Sequence, residues 1–422
     1  MKSRTFPAIL ILLHLFAFKA GAENSDSLSL SRDEVHDLFI KNSLVLIAAH
    51  YDIDAAKAAV LDARLLNNPY LQYAQHLYDP HSKKFFDVNS ATGEWNVQMS
   101  QLFSIAGRHR NSVRLAGIRE KMSELEYEDL VRSLMYELND AYSKSAVAGQ
   151  QVKLLDNESA KLQVLVNAVE QEIHLGQIAG NELIRITAEL QEIQSRRAEA
   201  YSDLNEAENT LRILLNINQP TYINCTIEEP KAELPLPSID SLESLAMNRP
   251  DLLLSHAERD ASQQNLRLQK SLAWPDLTLM AEHDLNSSSV NNYNGIGIGL
   301  PLPLFSRNQG MISQANAFLQ QSEINDSIAS GKVRNEVATA YAGYAAIRKT
   351  ISGNFPNLSQ KLEEMNKNAF SNYSSHYINL LDFLDQIRTY TDAYNSLLSI
   401  RYQYVDAINK LNYSTGTIIL NP

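Results

Sequence analysis

Apolar residues recur at every third or fourth position over a very long stretch of this chain. From residue 108 to about residue 175 there is no proline, and Gly117 and Gly149 are the only internal glycines. Leucine, isoleucine, methionine and alanine side chains share one helical face there, namely Leu115, Ile118, Met122, Leu125, Leu130, Leu134, Leu138, Ala141 and Ala148. A helix over this range would be about 100 Å long at 1.5 Å per residue. The pattern predicts a helix several times longer than the average in globular proteins.

Similar periodicity predicts further helices on both sides of this one. They cover residues 29–66, 182–215, 241–272, 309–370 and 380–411, with a cap and first-turn acids near Ser31. Gly353 and Pro356 predict a kink or short break in the helix over 309–370. Helices of such length need coiled-coil partners along their whole length.

Four stretches of about ten residues alternate between apolar and polar or small side chains. They cover residues 70–79, 95–104, 276–285 and 293–304, and Met280 is the exception on an otherwise polar side. Ten residues is about the length that a tilted strand needs to cross a bilayer. Since the smallest barrels have about eight strands, four strands from one chain must find partners in other copies. The sequence therefore predicts a mainly α-helical protein with a β-barrel segment; an ordinary soluble sheet covered by helices is the alternative.

The second half of the chain repeats the first. Without gaps, Asn42 aligns with Asn248, His50 with His256, and Pro69 with Pro275. Each copy runs from a helix through a proline into two strands and long helices. We predict a first structural repeat over residues 23–217, a linker without periodicity over 218–240, a second repeat over 241–416 and a tail over 417–422.

Residues 1–22 have the pattern of a secretory signal peptide. Lys2 and Arg4 precede an apolar run over residues 8–18, and Ala20 and Ala22 offer a cleavage site before Glu23. A retained N-terminal anchor is the alternative. Because Glu23 is not a cysteine, we expect no lipid attachment at a new N-terminal cysteine.

The formal net charge of −12 argues against nucleic acid as a partner. It fits a surface that attracts cations, and the solubility of long solvated helices explains it equally well. The single cysteine, Cys225, allows no intrachain disulfide. The histidines are scattered and no nucleophile elbow, phosphate loop or metalloprotease motif occurs, so we expect no enzyme, no cofactor and no dedicated metal site.

The points where strands turn into long helices carry the most specific motifs. In the second repeat the turn contains Pro301, Pro303, Phe305, Arg307 and Gly310, and in the first it contains Gly107 and Arg108. Prolines end a strand, and a flexible glycine or asparagine lets the chain leave for a helix. We predict a hinge between two architectures here rather than a ligand site.

With these motifs, the duplication and the alternating strands, the chain resembles the TolC family of outer-membrane efflux channels, and most closely its cobalt–zinc–cadmium branch. The resemblance implies a homotrimer with four strands and long coiled-coil helices per protomer. Its strands would close one barrel in the outer membrane of a Gram-negative bacterium, in contact with lipid, and its helices would extend far into the periplasm. It also implies a periplasmic adaptor and an inner-membrane pump of the resistance–nodulation–division type as partners.

The function that this resemblance implies is the export of heavy-metal cations such as cobalt, zinc, cadmium, copper or silver. A multidrug channel or a type I secretion channel of the same family is the alternative. A periplasmic coiled-coil scaffold is the alternative from a different class.

The resemblance further implies a periplasmic gate at Asp382 and Asp385. Their three-residue spacing places both carboxylates on one helical face, and in a trimer each forms a ring of charge that attracts cations. Arg185 stands at the matching position of the first repeat, and we predict that it pairs with Asp382 or Asp385 in the closed state. The alternative is that both acids are ordinary surface residues at a helix start, where the helix dipole favours them.

Two turns at the predicted periplasmic tip are expected to contact the adaptor. Gly176 and Gly180 belong to the first turn, and Tyr373 and His376 belong to the second. Tyr373 occupies a position where the resemblance leads us to expect a glycine.

Overall fold

The computed structural model describes residues 27–80, 82–89, 91–175, 180–219, 221–227, 229–230, 238–286, 290–352 and 355–421. The predicted signal peptide, the tip residue Gly176 and the kink residue Gly353 lie outside these ranges.

Helices dominate the described part of the chain. Its helices are α1 (Arg32–Asn42), α2 (Leu44–Arg64), α3 (Arg108–His174), α4 (Gly180–Leu214), α5 (Ile239–Ala246), α6 (Pro250–Ser271), α7 (Gln309–Ile351), α8 (Phe355–Ser374) and α9 (Leu380–Thr415). The 67-residue α3 confirms the long helix that the periodicity predicts. On the two sides of the predicted interruption, α7 ends at Ile351 and α8 begins at Phe355. None of the described helices combines the length and the apolar character that a membrane-spanning helix requires.

Two of the predicted helices are each divided into two. The backbone of Ser43 is extended and separates α1 from α2. In the second repeat, Arg249 is extended directly before Pro250, the first residue of α6. The helical conformation is disfavoured for a residue that precedes a proline. The prediction of one continuous helix over 241–272 was therefore wrong at this point.

The strands are β1 (Ser27–Ser29), β2 (Tyr70–Gln75), β3 (Tyr78–Asp79), β4 (Lys84–Phe85), β5 (Trp95–Phe103), β6 (Tyr222–Asn224), β7 (Leu277–Asp284) and β8 (Tyr293–Gly299). The four predicted strands form one antiparallel sheet in the order β2-β5-β7-β8. Strands β3 and β4 form a short hairpin between β2 and β5. Strand β6 lies inside the predicted linker and pairs in parallel with β1.

The register of the sheet separates apolar from polar side chains. Directly paired residues share a face, and neighbouring rows alternate between the two faces. One row consists of Leu71, Met99, Ala281 and Ile296, and the adjacent row on the other face consists of Gln72, Gln98, Glu282 and Gly295. The alternation that predicted these strands therefore does produce one apolar face and one polar face.

Met280 stands on the polar face and covers two glycines of β8. A Cβ atom added at Gly297 would lie 3.3 Å from its Cε atom, and one added at Gly299 would lie 3.6 Å from it. Gln98 donates a 3.2 Å hydrogen bond from Nε2 to the sulfur of Met280. The glycines of β8 thus provide room for a side chain that breaks the alternation of β7.

Next to the sheet, the helices pack in the order α2-α3-α6-α7, which matches the order of the strands that they adjoin. Farther along, α4 and α9 pack on α3, and α8 packs on α9. Buried clusters join α1 and β6 to α3 and α4, join α5 and α6 to α7 and α9, and fill the far end between α3, α4, α8 and α9.

Candidate functional site

The far end of the helices contains the predicted gate, and its geometry starts at the N-cap of α9. The Asn379 Oδ1 atom accepts a 3.0 Å hydrogen bond from the backbone N–H of Asp382. The Asn379 Nδ2 atom donates a 2.8 Å hydrogen bond to the Asp382 carboxylate. This carboxylate is therefore held in the first turn of α9, where the partial positive charge of the helix stabilises it.

Asp385 lies one turn farther along α9. It is exposed and makes no hydrogen bond or ion pair with any described residue. Between the two acids, Phe383 and Leu384 are buried in the core of the helical end. The core therefore fixes the rotation of α9 and leaves both carboxylates on its exposed side.

Arg185 is exposed on α4, and within the described part of one protomer it makes no ion pair with Asp382 or Asp385. Its pairing with Asp382 or Asp385 in the closed state stays a prediction. The ion pairs that do join α4 to α9 use other residues. Arg388 lies 2.5 Å from the buried carboxylate of Glu189, and Arg196 lies 2.7 Å from Asp392.

Neither pair was predicted from the sequence, because only the positions of the first repeat that match Asp382 and Asp385 were considered as partners. Glu189 occurs at a position that the helical periodicity of α4 buries, and a buried acid requires a charged partner. The buried position of Glu189 is visible in the sequence and predicts a charged partner, but it does not identify Arg388 as that partner.

The turn after α8 has its left-handed residue at His376. His376 has a φ of 57°, its N–H donates to the Tyr373 carbonyl at 2.9 Å, and the Tyr377 N–H donates to the Asn372 carbonyl at 2.8 Å. These two hydrogen bonds form a Schellman motif, whose left-handed position is usually a glycine. In this chain the left-handed position of the turn is therefore His376, three residues after Tyr373.

Tyr373 is a packing residue within α8. Its ring stacks on Phe383 with 4.8 Å between the centroids, and its hydroxyl donates a 3.4 Å hydrogen bond to Glu182 of α4. Burial, with a smaller contribution from the Glu182 carboxylate, raises the pKa of Tyr373 to about 12. Leu175 after α3 and Tyr377 after α8 are large side chains that are exposed at this end. Gly180, from the first predicted turn, is the first residue of α4.

The two turns that lead from the sheet into the long helices are built alike. Gly107 and Asn308 are the N-caps of α3 and α7, and both are left-handed, with φ values of 74° and 58°. The Asn308 side chain donates a 2.8 Å hydrogen bond to the Gln269 carbonyl at the end of α6. In the first repeat, Arg108 pairs with Asp276 at 2.5 Å. Each turn is thus bonded to the junction between α6 and β7.

The other predicted hinge residues have different positions. Pro301 and Pro303 lie in the irregular segment between β8 and α7, and Phe305 in the same segment is 92% exposed. The Arg307 N–H donates to the Gln309 side chain. Gly310 lies in the first turn of α7, so the left-handed residue of this turn is Asn308.

The sheet and the helical layer beside it end at corresponding elements. Among the described residues, β2 and β8 each have a strand partner on one side only, and α2 and α7 are the outermost helices of the layer beside them. Apolar side chains remain exposed on both of these helices, namely Leu44, Val45, Tyr51 and Leu61 on α2, and Met311, Phe318, Ile324 and Ile328 on α7. Such paired open edges require partners.

Residues 35–216 and 242–417 match the family described as outer membrane efflux protein. The chain belongs to this family. The match places it among outer-membrane efflux channels, which are not enzymes, and so confirms the predicted fold class, the predicted compartment and the expectation that it is no enzyme. It also removes the periplasmic scaffold alternative.

Individual proteins give consistent results. The chain is 21% identical over 379 residues to the cobalt-zinc-cadmium resistance protein CzcC of Cupriavidus metallidurans, covering 87% of this chain and 86% of that protein. It is 20% identical over 407 residues to the outer membrane protein TolC of Escherichia coli, covering 88% of this chain and 78% of that one.

Solved structures agree on the fold. The CmeC outer membrane channel of Campylobacter jejuni has a TM-score of 0.75 at 17% identity, covering 92% of this chain and 87% of that one. CusC has a TM-score of 0.73 at 17% identity, and 99% of each chain is covered.

Proposed function

We propose that three copies of this chain form one closed duct through which heavy-metal cations leave the cell. One observation supports the assembly. The sheet ends at β2 and β8, and the helical layer beside it ends at the adjoining helices α2 and α7. Pairing β2 of one copy with β8 of the next would satisfy the backbone groups of both strands. It would also bring the exposed apolar residues of α2 onto those of α7.

The polar face of the sheet then lines the duct, with Gln72, Gln98 and Glu282 in one row. At the far end, Asp382 and Asp385 contribute acidic rings on the exposed side of α9. A wall with these groups concentrates cations near it and offers no tight metal site that would retain them. In the described part of the chain no cluster of three or more histidine, cysteine, aspartate or glutamate side chains could hold a metal ion.

The choice of heavy metals as cargo is supported by the similarity to a cobalt-zinc-cadmium resistance protein over 87% of this chain. A periplasmic adaptor would contact the helical end around Gly180 and His376. An inner-membrane pump of the resistance–nodulation–division type would supply the energy, since outer-membrane efflux channels are not enzymes. A multidrug channel of the same architecture is the second candidate, which the similarity to TolC supports.

The test of the cargo is deletion of the gene, followed by growth on zinc, cobalt, cadmium, copper and silver salts beside a panel of drugs and detergents. Metal sensitivity that the intact chain restores is the expected result. Sensitivity to drugs alone would be consistent with the proposed duct but would contradict heavy metals as its cargo.

The assembly is tested by one variant and a matched control. Phe318→Glu places a charge on the apolar stripe of α7, whose Phe318 side chain is 51% exposed in a single copy. We expect it to abolish trimers in outer-membrane extracts and to fail in restoring growth. Ile418→Glu makes the same kind of change at an exposed residue in the tail after α9 and should do neither. Normal trimers from the Phe318 variant would contradict the proposed contact.

A further inference from the structure

The junction between the sheet and the long helices is basic in a chain that is acidic overall. Four segments form this junction, over residues 58–69, 104–116, 264–276 and 300–316. Together they contain seven arginines and lysines against two aspartates, whereas the whole chain has 37 basic and 49 acidic residues. The sign of the charge therefore reverses where the helices leave the sheet.

Contacts between the elements hold the four segments at one level. Gln101 of β5 donates a 2.7 Å hydrogen bond to the Asn67 carbonyl after α2. Asn111 of α3 donates a 3.4 Å hydrogen bond to the Arg267 carbonyl of α6, and Asn308 before α7 is bonded to the end of the same helix. At 1.5 Å per residue, the basic residues of these segments all lie within about 10 Å of a helix end.

Six of the seven basic side chains are exposed and have no ion-pair partner among the described residues, whereas Arg108 pairs with Asp276. We call these six residues the basic collar, and they are Arg64, Arg110, Arg114, Arg267, Lys270 and Arg307. The remaining acid, Asp62, lies two residues from Arg64, a spacing at which helical side chains do not face each other. The collar therefore has a positive charge that the described chain does not neutralise.

Arg110 has an unfavourable position within its own helix. It lies in the first turn of α3, which contains no acidic residue, and the helix dipole disfavours a cation there. Its guanidinium group folds back over Gly107, 3.6 Å from the point that a Cβ atom of that residue would occupy. The group therefore points along the helix towards the sheet, where a negative partner would offset the unfavourable position.

The apolar side of β8 continues beyond the end of the strand. Ile296, Ile298, Leu300 and Leu302 occupy alternate positions and are all exposed, although the strand ends at Gly299. The strands of this sheet have six to nine residues, and about 9–11 are needed to cross a bilayer. The apolar surface of the sheet therefore extends into the junction.

In each of the four segments, large exposed apolar side chains separate the sheet from the basic collar. They are Leu66, Ile105, Trp274, Leu304 and Phe305. Aromatic residues are typical of the boundary between the hydrocarbon and the headgroups of a membrane. The order of apolar sheet face, aromatic and apolar band, and basic collar is thus the order in which a protein meets hydrocarbon, interface and anionic headgroups.

We propose that the basic collar binds the phosphate groups of anionic phospholipids in the periplasmic leaflet of the outer membrane. The leaflet follows from the family, since the helices of an outer-membrane efflux channel extend into the periplasm. An arginine side chain presents N–H donors in a planar fork that matches phosphate oxygens. Each basic residue near an anionic surface adds to the attraction, which falls off within a Debye length. The lipid surface is favoured over an acidic protein because the collar is continuous with the apolar face of the sheet.

Trp274 provides a local reporter of the surrounding lipid. The chain has two tryptophans, and Trp95→Phe leaves Trp274 of the junction as the single one. The purified full-length channel with this substitution is reconstituted into phosphatidylcholine vesicles that contain a minor fraction of a brominated lipid, which quenches tryptophan fluorescence on contact. We expect brominated phosphatidylglycerol to quench Trp274 at least about twofold more than brominated phosphatidylethanolamine at the same fraction. The difference should vanish near 1 M salt, where the Debye length is about 3 Å.

A fourfold variant and a matched control make the result specific. The collar variant is Arg110→Gln, Arg114→Gln, Arg267→Gln and Lys270→Gln, on the two adjacent helices α3 and α6. The control removes the same number of exposed, unpaired charges farther along the helices and is Lys153→Gln, Arg334→Gln, Lys361→Gln and Lys367→Gln. The collar variant should lose most of the preference for phosphatidylglycerol, and the control should keep it. The salt test uses an unsubstituted collar, so it holds even if the collar variant does not fold.

Equal quenching by the two lipids, or a preference that persists in 1 M salt, would overturn the proposal. Release of phosphatidylglycerol by inorganic phosphate, at the ionic strength of a chloride control, would overturn it in favour of a site for free phosphate. An unchanged lipid preference in the collar variant, with an altered ratio of cation to anion permeability, would overturn it by placing these charges inside the duct. The metal sensitivity of the deletion strain is measured separately, so failure of this surface leaves the proposed cargo untouched.

Discussion

Tyr402 of α9 donates a 2.7 Å hydrogen bond to Asp140 of α3 and so joins the second repeat to the first. Tyr136 of α3 makes the reciprocal contact and donates to Asp406 of α9 at 3.3 Å. Each aspartate also pairs with the lysine four residues later on its own helix. The same spacing of tyrosine, aspartate and lysine therefore occurs on two antiparallel helices that face each other.

This seam, formed by Tyr136, Asp140, Tyr402 and Asp406, lies on the bare side of the helical layer, which is the side away from the N-terminal segment and α5. At 100° per residue, Tyr136 and Asp140 lie roughly opposite Leu138 and Tyr142, which are buried against the N-terminal segment. Tyr402 is likewise opposite the residues of α9 that pack under α5. In the proposed trimer the bare side lines the duct, so the seam forms part of its wall.

Tyr402→Phe should destabilise the helical assembly by about 1–2 kcal/mol, since it removes a hydrogen bond to a charged group that is only partly shielded from water. Tyr136→Phe removes the longer contact and should cost less. Urea-induced unfolding of the purified channel, followed by circular dichroism, measures both. Equal losses for the two variants would contradict the assignment of Tyr402 as the stronger link.

His376→Gly should stabilise the end of α8 by about 1 kcal/mol, because glycine adopts the left-handed conformation without the steric cost that a Cβ atom imposes. Hydrogen exchange at the amides of Tyr377 and His376, which close the Schellman motif, should slow accordingly. His376→Ala is the matched control and should give no gain, since alanine retains the Cβ atom.

Cys225 should be unreactive towards thiol reagents in the folded channel at pH 8. Burial raises the pKa of this thiol to about 12, whereas an exposed cysteine titrates near 8.5. The residue packs in the cluster that includes Leu30 and Ile223, which the pairing of β1 with β6 holds together. Deletion of residues 27–30 should therefore speed the reaction with Ellman's reagent, and an unchanged rate would show that β1 does not protect this cluster.

The sequence was sufficient to predict the long helices and the four-stranded sheet because both depend on local periodicity. The spacing of Leu115 to Ala148 and the alternation around Trp95 each record which side of an element is buried. The duplication added the correspondence between the two turns at Gly107 and Asn308.

Features that depend on contacts between distant segments could not be predicted in this way. The parallel pairing of Leu28 with Ile223 joins two three-residue strands, which are too short to show a pattern. The ion pair of Glu189 with Arg388 requires knowing the relative height of α4 and α9. At His376, the left-handed conformation is imposed by the turn and is not indicated by the residue type.

The gate prediction distinguishes its two acids, because Asp382 is held by Asn379 and Asp385 is unpaired within the described protomer. Asp385→Asn should change the charge at the duct end and leave the stability of α9 unaltered. Asp382→Asn should change the charge equally and also weaken the start of α9 by about 0.5–1 kcal/mol.

Single-channel recordings in planar bilayers measure the charge effect. For both variants we expect the ratio of cation to anion permeability to fall, on the order of twofold, in dilute salt, and the difference from the parent to vanish near 1 M salt, where the Debye length is about 3 Å. Asp392→Asn is the matched control on the same helix, since its carboxylate is already neutralised by Arg196. If it lowers the ratio as much as Asp385→Asn does, the selectivity reflects the total charge of α9 and not a gate at its first turn.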